Sequence, residues 1–239
     1  ALCMGDDFKP EMTAGHSLGE FSALVAAGAL SFEDGLKLVY ARAMAMQKAC
    51  EAQPSTMAAI IALPDEKVEE ICAQVSSEGE VCVAANYNCP GQIVISGKKA
   101  AVEEACEKLK AAGAKRAIML NVSGPFHSGM LVGAGEKLGK VLENVEIHKP
   151  VIPYAANVTA QYVTEAEPVK DLLVKQVSSS VKWQQCVETM LADGVDTFIE
   201  IGPGKTLAGF MRKIDRSVKT LNVEKLEDIE KVVEALKEA

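Results

Sequence analysis

A serine flanked by two glycines is the feature of this sequence with the clearest chemical potential. Residues 15–19 read Gly-His-Ser-Leu-Gly, which places Ser17 at the centre of a G-x-S-x-G pattern. A short apolar stretch precedes the pattern at 12–14, and an Ala- and Leu-rich segment follows it at 20–29. We therefore predict a strand, a sharp turn and a helix, with both glycines permitting a turn too tight for side chains.

A serine on such a turn forms a nucleophile elbow. It projects out of the sheet, and the following helix directs its free N–H groups and positive dipole end at the same point. The backbone N–H of Leu18 would then stabilise the oxyanion that forms when Ser17 attacks a carbonyl. The same pattern occurs by chance in glycine-containing loops, and the predicted strand, turn and helix favour the catalytic interpretation.

A serine nucleophile needs a base, and the sequence offers three histidines. His16 adjoins Ser17, and neighbouring side chains on a tight turn point apart. His148 lies in a charged connection at 145–150. His127 stands in a loop at 123–129 whose glycines and proline can fix a side chain, so we expect His127 to be the base.

Arg42 is the third residue with a chemical interpretation. On a predicted helix its neighbours three and four residues away are apolar, so it projects from an apolar face. Either the side chain extends to the rim of that face, or it is a buried guanidinium that can bind a carboxylate through two parallel hydrogen bonds. Spacing alone does not separate the two.

The composition limits the classes of partner. The net charge is -8, and nucleic-acid binding depends on Lys and Arg neutralising phosphates, so nucleic acid is not expected. Basic runs at 98–99, 108–116 and 212–219 are typical of solvated helix faces, although each could bind locally. The sequence has neither an apolar run of roughly 20 residues nor a signal-peptide pattern, so we expect a cytoplasmic protein without membrane contact.

The cysteines predict neither a disulfide framework nor a zinc site. They are odd in number and scattered, and none forms a C-x-x-C pair. We expect reduced thiols in a cytosolic protein, and no metal, for Cys3, Cys50, Cys72, Cys82, Cys89, Cys106 and Cys186.

The elements that must position these residues form an α/β pattern. Ser31 is a plausible N-cap, with Asp34 in the capping-box position, for a second helix that runs to about Cys50. From 56 to 120 the pattern has the order β-α-β-β-α-β of a ferredoxin-like unit. Its predicted strands are 57–63, 80–85, 92–96 and 116–120, with helices at 65–75 and 98–112 and a connection at 88–91.

The chain after residue 120 returns to longer α/β elements. We predict an extended segment at 150–156, helices at 172–176 and 183–192, a buried strand at 197–201 with a helix beyond it, and an amphipathic closing helix at 226–236. The fold class is therefore α/β: a large hydrolase-like domain with a parallel sheet, formed by 1–54 and 121–239, and an inserted ferredoxin-like subdomain at 55–120.

Several ordered motifs resemble the malonyl-CoA:acyl carrier protein transacylases of bacterial type II fatty acid synthesis and, more loosely, the acyltransferase domains of polyketide synthases. The resemblance runs over essentially the whole chain. It rests on Gly-His-Ser-Leu-Gly-Glu at 15–20, Arg42, Asn-Cys-Pro-Gly-Gln at 88–92, Pro-Phe-His-Ser at 125–128 and Glu-Ile-Gly-Pro-Gly at 200–204.

The resemblance implies catalytic roles. Ser17 takes the malonyl group as an ester, and His127 acts as general base and then as acid. Gln176 aligns with the family residue whose backbone carbonyl orients the histidine, which implies a Ser-His dyad without an aspartate.

The resemblance also implies how substrate is bound. Arg42 holds the malonyl carboxylate, and the bulky Phe126 limits substituents at the α-carbon. His16 completes the expected substrate-binding residues. The malonyl group comes from a coenzyme A thioester and goes to the phosphopantetheine thiol of acyl carrier protein, with no bound cofactor. Carrier protein is acidic in this family, so the basic runs at 98–99 and 212–213 are docking candidates, and the enzyme is expected to be a monomer.

One departure from the family concerns the N-terminus. Members begin with a strand and a Gly-Gln-Gly loop that supplies a second oxyanion-hole group, whereas this sequence starts just before the elbow strand. We expect a fragment of a longer protein or a truncated form, lacking one oxyanion donor.

Two other functions remain open at this level. The first is a serine esterase or thioesterase of α/β-hydrolase type, which would share the elbow but place an acidic residue between serine and a late histidine. The second is an inactive fragment or interaction module that retains the elements of the fold.

Overall fold

The computed structural model describes residues 9–77, 81–122 and 124–237. The chain forms two compact units, one of Met12–Cys186 and one built on the described residues on either side of that stretch. Each is a mixed arrangement of helices and strands, in agreement with the predicted α/β class. The predicted division into 1–54 with 121–239 and 55–120 stays a prediction.

The elbow segment forms the predicted strand, turn and helix. Strand β1 (Thr13–Ala14) leads into the turn, and helix α1 (Gly19–Ala26) follows it. β1 pairs in parallel with β6 (Tyr154–Ala155), which pairs antiparallel with β7 (Tyr162–Val163), giving the sheet order β1-β6-β7. We predicted a parallel sheet for this part of the chain. Among the described residues of this three-stranded sheet, β1 and β6 form its parallel pair.

Helix α2 (Phe32–Cys50) begins where the sequence predicts. The Ser31 hydroxyl accepts a hydrogen bond from the backbone N–H of Asp34 at 3.1 Å and donates to the Asp34 carboxylate at 2.9 Å. The cap satisfies one of the free N–H groups of the first turn. The buried face of the helix carries Leu38, Arg42, Ala45 and Met46.

A four-stranded antiparallel sheet with two helices occupies the predicted β-α-β-β-α-β region. Its strand order is β3-β4-β2-β5, and alternate buried residues pack an apolar core against the helices. β3 continues through Asn88 and Cys89, where a connection was predicted, and only Pro90 and Gly91 turn the chain. The elements are β2 (Ser55–Ile61), α3 (Asp65–Ser77), β3 (Cys82–Cys89), β4 (Gln92–Lys98), α4 (Lys99–Ala111) and β5 (Arg116–Met119).

Helix α5 (Val132–Leu142) was not predicted. It follows a short 3-10 helix at Gly129–Leu131 and contains several glycines, which lower helix propensity. A Cβ at Gly135 would lie 2.8 Å from the Val174 carbonyl oxygen, so the glycine allows α5 to approach helix α6 (Val169–Ser178). Tertiary packing therefore decides this helix.

The larger apolar core lies among α1, α2, α5, α6 and β6. Its fully buried members include Phe21, Leu24, Leu38, Leu138, Leu142, Tyr154, Leu173 and Val177. The elements that carry the predicted site residues are thus fixed by one apolar cluster.

The second unit contains a two-stranded parallel sheet. Helix α7 (Trp183–Ala192) has the predicted bounds and leads to β8 (Thr197–Ile201), which pairs with β9 (Lys219–Val223). Helices α8 (Thr206–Ile214) and α9 (Leu226–Lys237) complete the unit. β9 was not predicted.

The prediction that the strand at 197–201 is buried was wrong. Its residues are half-buried and Ile201 is 74% exposed. Among the described residues β8 pairs with β9 alone, so its apolar side chains are covered only in part.

The described cysteines form no disulfide bond with one another, and Cys3 lies outside the described residues. In the parts of the chain that the structure describes, no helix has the length and apolar character needed to cross a membrane.

Candidate active site

The turn between β1 and α1 holds Ser17 in a left-handed backbone conformation. Its φ is +53°, which is uncommon for a residue with a side chain. A Cβ at Gly15 would lie 1.9 Å from the Gly19 carbonyl oxygen, so the turn requires glycine there. Gly19 has open space where a Cβ would stand, so the expectation that both glycines are needed was wrong for Gly19.

Ser17 and His127 meet although 110 residues separate them. The Ser17 Oγ lies 2.7 Å from His127 Nε2. The other ring nitrogen, Nδ1, lies 2.8 Å from the Gln176 backbone carbonyl and 3.1 Å from that of Ser179. Because carbonyl oxygens only accept, Nδ1 carries the proton, and Nε2 is free to accept the proton of the serine hydroxyl.

The loop at His127 is itself constrained. His127 has a φ of +58°, and the Ser128 hydroxyl donates to the Pro125 carbonyl at 2.6 Å across the turn. The imidazole is 4% exposed. Burial, and next the nearby positive charge of Arg42, lower the pKa of His127 to about 4, so the ring is neutral around neutral pH and able to act as a base.

Arg42 is buried, which decides between the two interpretations of its position. It is 5% exposed, and its Nη2 donates to the Ser17 Oγ at 2.9 Å and to Gln176 Oε1 at 3.1 Å. Burial lowers its pKa to about 10, which leaves the guanidinium charged at neutral pH. Its Nε has no hydrogen-bond partner, and no carboxylate among the described residues lies within ion-pair distance of it.

A cluster of buried polar side chains lies beneath the turn, and the sequence did not reveal it. We call Glu20, Asn157 and Gln176 the buried polar cluster; all three are 0% exposed. Asn157 Oδ1 accepts from the Ser17 N–H at 2.7 Å, and its Nδ2 donates to the Gly15 carbonyl at 2.8 Å. Gln176 Nε2 donates to the Ser17 carbonyl at 2.8 Å and to the Glu20 carboxylate at 2.7 Å. The cluster therefore holds both sides of the strained turn.

His16 points away from the Ser17–His127 pair. Its Nε2 lies 2.9 Å from Asn88 Oδ1, and its ring centroid lies 5.8 Å from that of Trp183. Burial lowers its pKa, with the Asn88 contact acting in the opposite direction. His148 is exposed, and its Nδ1 lies 3.8 Å from Glu146, as expected for a surface connection.

Phe126 and Arg42 line a cavity of about 370 Å³. Phe126 packs against the core on its other side. The remaining lining residues are Ala43, Met46, Gln47 and Cys50. The cavity places an aromatic ring and a guanidinium at the wall of one space.

The backbone N–H of Leu18 is the available donor at the start of α1. It has no hydrogen-bond partner among the described residues, and the Leu18 side chain is 49% exposed. Leu18 follows Ser17 directly. Its N–H, at the N-terminus of α1, can therefore donate to the oxyanion that forms when Ser17 attacks a carbonyl carbon. Within the described ranges, no group of three or more His, Cys, Asp or Glu side chains could hold a metal ion.

The arrangement can perform acyl transfer. A neutral, oriented imidazole accepts the serine proton, a guanidinium lies at the same oxygen, and a helix N-terminus faces the turn. The sequence predicted Ser17 and His127 from the residues themselves, and the roles of Arg42 and the Gln176 carbonyl from the family resemblance. It missed Asn157 and the side-chain roles of Glu20 and Gln176, because contacts between residues more than a hundred positions apart leave no local signal. The position of Glu20 directly after the elbow is the one local feature that pointed to a role for its side chain.

Comparison with known proteins gives consistent matches. The family described as acyl transferase domain matches residues 2–232. Malonyl CoA-acyl carrier protein transacylase of Bacillus subtilis (strain 168) is 47% identical over 229 residues, which are 96% of this chain and 72% of that protein.

Solved structures give the same picture. Acyl-carrier-protein S-malonyltransferase from Burkholderia pseudomallei 1710b aligns with a TM-score of 0.92 at 42% identity, covering 97% of this chain and 75% of that one. A malonyl-transacylase in complex with its type II PKS acyl-carrier protein aligns with a TM-score of 0.92 at 38% identity, covering 95% and 74%. The similarity thus holds in sequence and in fold over nearly the whole chain.

Proposed function

The chain belongs to the acyl transferase domain family, where it groups with the malonyl CoA-acyl carrier protein transacylases, and we propose that its Ser17 carries the malonyl group between two thiols. The chain is an acyltransferase of fatty acid biosynthesis, and its substrates are malonyl-CoA and acyl carrier protein.

The single observation that carries this mechanism is the 2.7 Å contact between the Ser17 Oγ and His127 Nε2. In the first half-reaction the Ser17 oxygen attacks the thioester carbonyl while its proton passes to Nε2. The C–S bond then breaks, and the coenzyme A sulfur takes that proton from the imidazolium. The product is a malonyl-serine ester.

The second half-reaction runs the same steps towards the carrier. His127 accepts the proton of the phosphopantetheine thiol, and the resulting thiolate attacks the ester carbonyl. The C–O bond breaks, and the Ser17 oxygen regains a proton from Nε2. Through both half-reactions the Gln176 carbonyl keeps Nδ1 protonated, 2.8 Å away, so the ring never needs to turn. The Leu18 N–H would stabilise the oxyanion in each tetrahedral intermediate.

Arg42 supplies the specificity for an acyl group that bears a carboxylate. It is a buried cation, and among the described residues it has no carboxylate in ion-pair contact and its Nε has no partner, so donors remain for the malonyl carboxylate. Charge-assisted pairs of this kind are about twice as strong as neutral hydrogen bonds. Phe126, on the wall of the same cavity, would limit substituents at the α-carbon. His16, which contacts Asn88 and Trp183, would contribute to binding of the substrate.

Arg42→Ala tests this specificity. We expect the kcat/KM for malonyl-CoA to fall on the order of 10²-fold, while acetyl transfer is spared or enhanced, because acetyl has no carboxylate to bind. Arg42→Lys is the matched control, since it keeps the charge but loses the planar fork. An equal loss with both acyl groups would contradict the assignment.

The proposal also covers the domain arrangement, the oligomeric state, the location and the cofactor. We propose a hydrolase-like large domain with an inserted ferredoxin-like subdomain, a monomer in the cytoplasm, and no bound cofactor. The β3-β4-β2-β5 order of the antiparallel sheet supports the ferredoxin-like description. Contact with nucleic acid or membrane is not part of the proposal.

Mass analysis of the intact chain after mixing with malonyl-CoA tests the covalent step. We expect a single malonyl adduct that is absent in Ser17→Ala and is discharged on adding phosphopantetheinylated carrier protein. An esterase would release the malonyl group to water at the same rate without carrier, and an inert protein would form no adduct. The esterase is disfavoured because the His127 Nδ1 contacts two carbonyls, with no acidic side chain bonded to it among the described residues.

A further inference from the structure

Glu20 is a buried carboxyl group that the proposed chemistry does not use. It lies in the first turn of α1 and is 0% exposed. Its Oε2 accepts from Gln176 Nε2 at 2.7 Å and from the Asn157 backbone N–H at 3.3 Å, while its Oε1 has no partner within the part of the chain that the structure describes. A buried carboxyl group is costly, and burial raises the pKa of Glu20 to about 7. A plain core position would be filled more favourably by an apolar side chain of similar volume.

The partners of Glu20 fix the direction of one amide. The Gln176 Nε2 donates both to Glu20 and to the Ser17 carbonyl, and its Oε1 accepts from Arg42. If the amide were reversed, its NH₂ group would face the guanidinium and its oxygen would face two acceptors. Glu20 Oε2 therefore favours one of two orientations of the same side chain.

That orientation reaches the reacting atoms through Arg42. Arg42 Nη2 lies 3.1 Å from Gln176 Oε1 and 2.9 Å from the Ser17 Oγ, so the amide oxygen holds the guanidinium against the nucleophile. The guanidinium carbon of Arg42 also lies 5.7 Å from the centroid of the Phe21 ring, over its face, and this contact sets no hydrogen-bond direction.

We propose that Glu20 is a positioning residue for acyl selectivity: its Oε2 orients the Gln176 side-chain amide, and that amide holds Arg42 where it binds the carboxylate of the acyl group. The inference rests on the proposed malonyl transfer through Ser17. Glu20 touches neither the substrate nor the reacting atoms, and acts through Gln176.

Glu20→Met and Glu20→Gln test the proposal in the full chain. Methionine keeps the volume and removes the acceptor, and glutamine keeps the shape but can present either an oxygen or an NH₂ group to Gln176. We expect the ratio of kcat/KM for malonyl-CoA over acetyl-CoA to fall at least about tenfold in Glu20→Met and by a smaller factor in Glu20→Gln, since small misplacements cost up to about 10²-fold.

Tyr154→Phe is the matched control. Tyr154 is also 0% exposed, and burial and next the nearby Glu20 carboxylate raise its pKa, yet its hydroxyl has no hydrogen-bond partner among the described residues. The ratio of malonyl to acetyl transfer should stay unchanged in this variant. If Tyr154→Phe changed the ratio as much as Glu20→Met, packing around Glu20 rather than the amide contact would explain the effect.

A double-mutant cycle tests whether Glu20 acts through Gln176. In a Gln176→Met background, Glu20→Met should change the selectivity ratio less than about threefold, because the amide it orients is gone. Equal effects of Glu20→Met in both backgrounds would overturn the proposal, as would a lower melting temperature with an unchanged ratio. If Glu20→Met does not fold, Glu20→Leu takes its place, since leucine also removes the acceptor, and an unchanged ratio there overturns the proposal.

Failure of the proposed function gives a different result. If the unmodified chain forms no malonyl adduct at Ser17, the proposed transfer is wrong. If it forms the adduct and the Glu20 variants keep the selectivity ratio, only the role of Glu20 is wrong.

Discussion

The buried polar cluster beneath Ser17 and the apolar core of the β2–β5 sheet are both buried, yet they are built in opposite ways. The sheet region packs alternate apolar side chains such as Ile60, Ile93 and Ile95 against two helices. The cluster instead buries a carboxyl group and two amides below a turn whose serine has a φ of +53°. Positive φ at a residue with a side chain costs about 1–3 kcal/mol.

The difference shows where this chain uses stability for geometry. In the apolar core of the sheet region, the side chains satisfy the local rules of pattern and packing, so any one of these core side chains can be replaced at a cost to stability alone. In the cluster, partners over a hundred residues apart hold strained backbone in place, and each replacement should alter the reaction. Changes in the two regions should therefore separate into effects on catalysis and effects on folding.

The largest effect is expected at the base. His127→Ala should lower the rate of malonyl-serine formation by on the order of 10⁴-fold or more, because no other base among the described residues is bonded to the Ser17 Oγ. Stopped-flow or quenched-flow mass analysis measures the rate, and thermal unfolding checks that the fold is kept. A loss smaller than about tenfold would mean that another base serves Ser17.

A core substitution in the sheet region should do the reverse. Ile95 is 0% exposed, so Ile95→Ala should lower the free energy of unfolding by about 4 kcal/mol through lost burial and a cavity. Under conditions where the variant remains folded, the kcat for malonyl transfer should change less than about twofold. Denaturant unfolding and steady-state kinetics give the two numbers, and a large fall in kcat would remove the contrast between the regions.

The ionisation of Glu20 gives a third test of the comparison. Its pKa is raised from 4.5 unfolded to about 7 folded, so the folded state binds more protons between these values, and the wild-type stability falls as the pH rises through that window. Glu20→Gln has no such group. The difference in the free energy of unfolding, Glu20→Gln minus wild type, should therefore grow by about 3 kcal/mol between pH 4.5 and a pH above 7.

His127 does not disturb this difference. Its pKa is lowered from 6.5 to about 4, so its contribution to stability is lost as the pH falls through that range, in both proteins alike. Denaturant titrations of the two proteins at several pH values measure the difference directly. A constant difference would show that Glu20 keeps an ordinary pKa in the folded chain.

The smallest effect is expected at the surface. Lys98→Glu with Lys99→Glu, at the junction of β4 and α4, should raise the apparent KM for an acidic carrier protein several-fold and leave that for malonyl-CoA unchanged, because exposed charges contribute little each. Arg212→Glu with Lys213→Glu, in α8, is the parallel test of the other candidate surface. Unchanged carrier KM in either pair rejects that surface for docking.

Much of this architecture could be predicted because its signals are local. The Ser31 cap, the bounds of α7 and the order of elements from β2 to β5 follow from short-range patterns. The helix α5 and strand β9 could not be predicted in this way: α5 contains glycines that serve contact with α6, and β9 is defined by its pairing with β8.

The site divides along the same line. Ser17 is marked by its neighbours and His127 by elimination, whereas the helix face of Arg42 left two interpretations open and the family resemblance supplied its role. Asn157 carries no such mark, since it lies in the turn between β6 and β7 and reaches the Ser17 N–H across 140 residues. The sequence places Glu20 at the start of a helix. It does not reveal that Glu20 contacts Gln176, because Gln176 lies 156 residues away.

The two carbonyls at His127 Nδ1 have a consequence for which nucleophile can discharge the acyl-enzyme. Burial, and next the charge of Arg42, lower the pKa of His127 to about 4, and the two neutral carbonyls raise it again less than a carboxylate would, so the imidazole is a weak base. A thiol, with a pKa of about 8.5, gives up its proton far more readily than water, at about 15.7. A base of this strength should activate the carrier's thiol in preference to water, so the malonyl-serine ester should resist hydrolysis until carrier protein binds.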